Sequence, residues 1–175
     1  MISNAMAQRL NKQINKEFYS AYFYMSMSAH SESENLKGAA AWFTAKYDEE
    51  MAHAMKLYHY LHDQGARVEL EAVDKPPTQY AGVLDMFEKT LAHEQEVTAA
   101  FNDLVEAALA EKDHATSIFL HWFVTEQIEE EATVSSIIGR VRLVGERGEG
   151  LFMIDNELSG LAQRISQTMA RETPL

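Results

Sequence analysis

Glu50 and His53 stand three residues apart within residues 39–64, a stretch with neither glycine nor proline. Side chains at this spacing share one face of a helix, so a carboxylate and an imidazole can bind the same metal ion. Oxygen donors with a single histidine suit iron or manganese better than zinc or copper. The pair therefore predicts part of a metal site, whose remaining ligands must come from other segments.

The segments that would carry those ligands are long and helical. Glycine and proline, 8 and 3 in 175 residues, are sparse, and apolar or small residues recur at steps of three and four. This pattern predicts four helices, over about 3–33, 35–64, 80–112 and 113–144. The intervening GARVELEAVDKPPTQ, residues 65–79, is too polar and proline-broken for a helix. We therefore expect an all-α architecture: a four-helix bundle with one long crossover between helices two and three.

A short fifth helix is predicted over about 151–169, after a glycine-rich break. Its narrow apolar stripe can fold back on its own bundle or pack against other subunits, and the pattern alone favours neither. We expect the bundle, about 3–144, and this helix to form one domain, 1–175.

Each of the four long helices places a glutamate on its inward stripe, near the middle of its length. These residues are Glu17, Glu50, Glu94 and Glu130. Residues near the middle of neighbouring antiparallel helices lie at the same height along a bundle, so the four carboxylates should form one layer. Burying such a layer is costly without counter-charge. Two divalent ions would supply that charge, so the layer predicts a dinuclear metal site.

Composition excludes several other kinds of protein. The 27 acidic and 15 basic residues give a net charge of −12, which repels nucleic acid and anionic lipid and attracts cations. Cysteine is absent, which excludes a disulfide scaffold, a thiolate metal site and a cysteine nucleophile. Because no apolar run suits a signal peptide or a membrane span, we expect a cytoplasmic protein with no nucleic-acid or membrane partner.

Five segments resemble those of the ferritins, specifically the non-haem bacterial ferritins, within the ferritin-like di-iron carboxylate family. They are NKEFYSAYFYMSMSAH, AKYDEEMAHAMKLYHYL, LAHEQEVTAAFNDL, FLHWFVTEQIEEE and GEGLFMIDNELS. The resemblance covers nearly the whole chain. It implies a 24-subunit shell that oxidises Fe(II) with O2 or H2O2 and stores ferric oxide, with the fifth helix lining four-fold axes.

The resemblance also implies a role for each matching residue. By position, the first iron would be held by Glu17, Glu50 and His53, with Glu50 bridging to a second iron on Glu94 and Glu130. Gln127 would hydrogen-bond near the second iron, Tyr24 would lie beside the centre, and Trp122 could donate an electron. A third iron site would use Glu49, Glu126 and Glu129, with Glu130 between the sites.

Two comparisons with the bacterioferritins limit which kind of ferritin the sequence predicts. The fourth helix reads EQIEE without histidine, unlike a bacterioferritin, and we do not expect haem although Met51 follows Glu50. A soluble di-iron oxygen-activating enzyme without mineral storage is the alternative function. A metal-free helical interaction module is a third class, and the physiological oxidant stays open.

Overall fold

The structure, a computed structural model, describes residues 2–172, so the outermost parts of the predicted domain 1–175 lie outside the described residues. Within that range the chain forms five helices and no strand. They are α1 (Asn4–Ser33), α2 (Lys37–Asp63), α3 (Val83–Ala110), α4 (His114–Val144) and α5 (Gly148–Glu172). The all-α prediction is confirmed. The predicted third helix begins three residues too early, and the fifth is three residues longer at each end than predicted.

The helix ends have local causes in the sequence. The Ser3 hydroxyl accepts a hydrogen bond from the Met6 amide at 3.0 Å, and Asp113 caps α4 in the same way through the Thr116 amide. Asn35 and Lys112 take positive φ angles of 60° and 58°, so the chain turns sharply between α1 and α2 and between α3 and α4. These two tight turns make each pair antiparallel.

The long connection between α2 and α3 runs beside α1. Side-chain amides of Asn11 and Asn15 donate to the carbonyls of Arg67 and Ala72, at 3.0 and 3.3 Å. Because the contacts advance along α1 as they advance along the connection, the segment follows the length of the bundle. The predicted crossover is confirmed.

Two hydrophobic clusters fill the bundle, one toward each end. On α1, one cluster holds Met6, Leu10 and Ile14, and the other holds Phe23, Tyr24 and Met27. The same division applies to α2, α3 and α4, and the four midpoint glutamates fall between the clusters on every helix. The buried carboxylates therefore occupy a polar layer with apolar packing above and below it.

Helix α5 docks on its own bundle. Ile154, Leu158 and Ala162 are buried in the same cluster as Trp42, and Asp155 Oδ1 accepts a hydrogen bond from the Ala39 amide at 2.9 Å. That contact caps the N-terminus of α2, which its own residue Leu36 does not cap. The buried stripe thus folds back on its own bundle, which is one of the two alternatives that the sequence pattern left open; the lining of four-fold axes stays a prediction. None of the helices in residues 2–172 is long and apolar enough to cross a membrane.

The docking contact predicts a large effect of one small substitution. A Cβ at Gly38 would overlap the backbone carbonyl of Asp155, whereas a Cβ at Gly139 on α4 would meet nothing within 4 Å. We expect Gly38→Ala to loosen α5 and lower the free energy of unfolding by about 1–3 kcal/mol. Gly139→Ala should be neutral or stabilising, by up to about 1 kcal/mol. Denaturant unfolding and proteolysis within α5 would measure both, and equal behaviour of the two variants would contradict the docking.

Candidate metal centre

Two groups of possible metal ligands occur within residues 2–172, and the more deeply buried one consists of Glu17, Glu50 and His53. All three are buried, and one ligand atom from each lies within 4.8 Å of the others. His53 Nδ1 is 3.6 Å from both Glu17 Oε2 and Glu50 Oε2. The helical spacing of Glu50 and His53 on α2, and the packing of α1 against α2, bring them together.

One carboxylate oxygen of this group lacks a hydrogen-bond donor among the described residues. Gln13 Nε2 donates to Glu17 Oε1 at 2.6 Å, but Glu17 Oε2 is fully buried and accepts no hydrogen bond from the described residues. A buried carboxylate oxygen without a donor is costly. A metal ion beside His53 and Glu50 would satisfy it, so the residues fit a cation.

The surroundings of His53 favour the charged form of its ring. Burial opposes charging of its ring, but the carboxylates of Glu17 and Glu50 outweigh burial and raise the pKa of His53 well above its ordinary value. The imidazolium is therefore one internal counter-charge of the polar layer.

The second predicted set lies across the layer, on α3 and α4, and its oxygens already have donors. Glu94 Oε1 accepts from the Tyr24 hydroxyl, and Glu94 Oε2 accepts from Gln127 Nε2 at 2.9 Å. Burial, and then the nearby Glu94, raise the pKa of Tyr24 well above its ordinary value, so the phenol stays a donor. Tyr24 and Gln127 thus orient Glu94.

Lys46 is the residue of the layer that the sequence reasoning missed. Its side chain is 1% exposed, and its Nζ donates to Glu49 Oε2 at 2.6 Å and to Glu130 Oε1, and lies 3.9 Å from Glu50 Oε1. Burial opposes its charge, but Glu130 and the other carboxylates prevail and raise the pKa of Lys46 well above its ordinary value. The spacing of Lys46, Glu49 and Glu50, at i, i+3 and i+4 of one helix, is the sequence feature that could have predicted these ion pairs.

Glu130 holds a proton more tightly than an ordinary glutamate. Burial and the neighbouring carboxylates of Glu49, Glu94 and Glu50 raise the pKa of Glu130 to about 8, although Lys46 acts in the opposite direction. At Glu49 burial also opposes ionisation, but Lys46 prevails and lowers the pKa. Negative charge is therefore distributed unevenly over the layer, because Glu49 ionises more readily than Glu130.

The predicted third site is brought together in part. Ligand atoms of Glu49, Glu126 and His53 lie within 4.8 Å of one another, so His53 faces both groups. Glu129 is exposed and belongs to neither group. Trp122 is half-buried beside them, with its ring 5.3 Å from that of His53 and Lys56 Nζ 3.8 Å from the ring centre.

All four midpoint glutamates are buried. Glu17, Glu50, Glu94 and Glu130 are 0, 3, 1 and 8% exposed. The expected buried layer is therefore present, with one carboxylate from each helix of the bundle.

Comparison with known proteins places this architecture in a family. A family model described as a ferritin-like domain matches residues 7–144. The protein named "Bacterial non-heme ferritin" from Campylobacter jejuni is 43% identical over 162 residues, 93% of this chain and 97% of that protein. The Escherichia coli O6:H1 protein of the same name is 40% identical over 92% of this chain and 98% of its own length.

Solved structures agree with the sequence relatives. A structure described as a novel open pore ferritin from the archaeon Archaeoglobus fulgidus superposes with a TM-score of 0.89 at 45% identity, covering 91% of this chain and 98% of that chain. The fold is that of a ferritin-like helical bundle, and the chain belongs to the ferritin family. The resemblance to non-haem bacterial ferritins inferred from sequence is confirmed.

The raised pKa values of two groups in the layer predict that its affinity for metal ions depends on pH. Binding must displace a proton from His53 and from Glu130, whose pKa values are both raised. We expect the affinity for Co2+, measured anaerobically by its absorbance, to fall as pH is lowered from about 8 to 6, by up to about tenfold per pH unit for each displaced proton. Proton release on binding, followed with an indicator dye, should accompany it. Affinity independent of pH would show that neither group holds a proton.

Proposed function

We propose that the protein is an iron-storage ferritin with ferroxidase activity. In this proposal it oxidises Fe(II) with O2 or H2O2 at a di-iron site inside each bundle and keeps ferric oxide mineral inside a shell. The main support is the buried Glu17–Glu50–His53 group with its unpartnered oxygen, in a chain of the ferritin family. Iron is here the substrate and the cargo.

The proposed ligands follow the two sides of the layer. The first iron would bind Glu17, Glu50 and His53, and the second would bind Glu94 and Glu130, with Glu50 between them. Tyr24 and Gln127 would hold Glu94 in place through the hydrogen bonds described above. A third iron would bind near Glu49, Glu126 and Glu129, with Trp122 as an electron donor beside His53.

The ligand chemistry supports oxidation rather than simple binding. Hard carboxylate oxygens hold Fe(III) more strongly than Fe(II), so they favour loss of an electron. Two neighbouring ions each give one electron, and one oxidant molecule accepts the pair. Hydrolysis of Fe(III) to the hydrated oxide then releases protons and frees the ligands for further Fe(II).

The assembly belongs to the same proposal. We infer a homo-oligomer of 24 chains, and a single domain 1–175 in which α5 shares its hydrophobic core with the bundle. The cytoplasmic location stays a prediction.

Iron retention tests storage directly. Fe(II) is added aerobically to the metal-free protein, and iron per chain is measured in the gel-filtered particle. We expect far more than about two irons per chain, the capacity of one dinuclear site, in a particle much larger than the monomer. About two irons per chain in a small particle would indicate the oxygen-activating enzyme instead, and no retained iron would refute both.

Loss of the shared ligand tests the ferroxidase site. Glu50→Gln keeps the side-chain shape but removes the charge between the two proposed irons. We expect the initial rate of Fe(II) oxidation to fall at least about tenfold, since even outer-shell partners of metal ligands act on that scale. Glu106→Gln makes the same chemical change at an exposed position of α3 and should leave the rate unaltered. Wild-type rates in Glu50→Gln would remove Glu50 from the mechanism.

A further inference from the structure

The two sides of the carboxylate layer are occupied differently. On the first side, Glu17 Oε2 has no donor among the described residues. On the second side, Tyr24 and Gln127 donate to Glu94, and Lys46 donates to Glu130. A cation that arrives on the first side therefore finds an oxygen that accepts no hydrogen bond, with His53 Nδ1 3.6 Å away. On the second side it has to displace the ammonium of Lys46 from Glu130 Oε1.

Lys46 differs from the other donors because it brings a full charge. Its ammonium lies on Glu130 Oε1 and 3.9 Å from Glu50 Oε1, and these two glutamates are the proposed partners of the second iron. An ammonium and a divalent ion on the same oxygens repel each other strongly at this depth. Both cations cannot keep these contacts at once.

We propose that Lys46 is a competing cation built into the second metal position, so that the two positions fill in order. The first ion binds Glu17, Glu50 and His53 with Lys46 in place, and the second binds Glu94 and Glu130 only after the ammonium withdraws. The proposal rests on the function proposed above, because it uses that ligand assignment. Lys46 is then a specificity-determining residue that sets the Fe(II) concentration at which the pair of ions is complete.

When the ammonium of Lys46 withdraws from Glu130, it can keep its contact with Glu49. Glu49 accepts from Lys46 Nζ at 2.6 Å, and its side chain is 20% exposed, so it lies nearer the edge of the layer than Glu130, whose side chain is 10% exposed. A small movement toward Glu49 frees Glu130 without leaving the lysine unpaired. The same movement holds Glu49, which would otherwise be available to a third ion with Glu126.

Metal binding without oxidation tests the order. Co2+ is titrated anaerobically into the assembled metal-free protein and followed by absorbance and calorimetry. In the wild type we expect one ion per chain to bind tightly and a second at least about tenfold more weakly. In Lys46→Gln the second ion should bind at least about tenfold more tightly, with the first changed by less than about threefold.

A matched control variant separates the effect of Lys46 at the site from the effect of removing one positive charge from the protein. Lys37→Gln removes the same charge from the same helix, at an exposed lysine paired with Glu32, and should bind as the wild type does. Thermal unfolding adds a second readout: without metal, Lys46→Gln should melt below the wild type, and Co2+ should raise its Tm by more. Lys46→Met, which keeps the length of the side chain, replaces Lys46→Gln if that variant fails to assemble.

Two outcomes would overturn the proposal. One is equal affinity for both ions in the wild type, and the other is an unchanged second affinity when Lys46 is replaced. Either result, obtained together with normal iron retention, would reject the ordered filling and leave the storage function intact. Failure of iron retention would instead reject the function itself.

Discussion

The layer of buried carboxylates is the constraint on which the rest of this structure depends. Four glutamates, one from each helix, lie between two hydrophobic clusters that exclude water. Ionised carboxylates in such a place need partners of opposite charge or good donors. The metal-free chain supplies them from its own residues, through the charged His53 and Lys46 and the donors Gln13, Tyr24 and Gln127. These internal partners therefore offset part of the cost of burying the carboxylates.

The internal partners also decide how ions compete. A metal ion that replaces a proton on His53 or an ammonium on Glu130 gains only the difference between the two interactions, so binding is weaker than the number of carboxylates suggests. Weak metal binding suits the proposed function, in which iron passes through the site. A permanent cofactor site would bind its metal more tightly if the metal ion were the only partner of the carboxylates. The internal partners thus offset the cost of burying the carboxylates and limit metal affinity at the same time.

Sequence periodicity was enough to predict the helices, the crossover and the buried pair of Glu50 and His53, because each depends on spacing within one segment. Lys46 was missed because lysine side chains are usually exposed. Its partner Glu130 is 84 residues away, so the ion pair exists only in the folded chain. Glu129 is one residue from Glu130, a rotation of about 100° on the helix, and it is exposed. The docking of α5 likewise depends on a close approach between Gly38 and Asp155 that no local pattern shows.

Helix α5 links the metal layer to the proposed shell. Its buried stripe is held by Asp155 at the N-terminus of α2, the helix that carries Glu50 and His53. Its other face leaves Phe152 and Met153 exposed, at 68 and 62%. Their position on a helix that is already docked suits a contact between subunits in the proposed assembly. Because α2 carries both the contact with Asp155 and the side chains of Glu50 and His53, a contact that orders α5 in that assembly would also restrain this buried group.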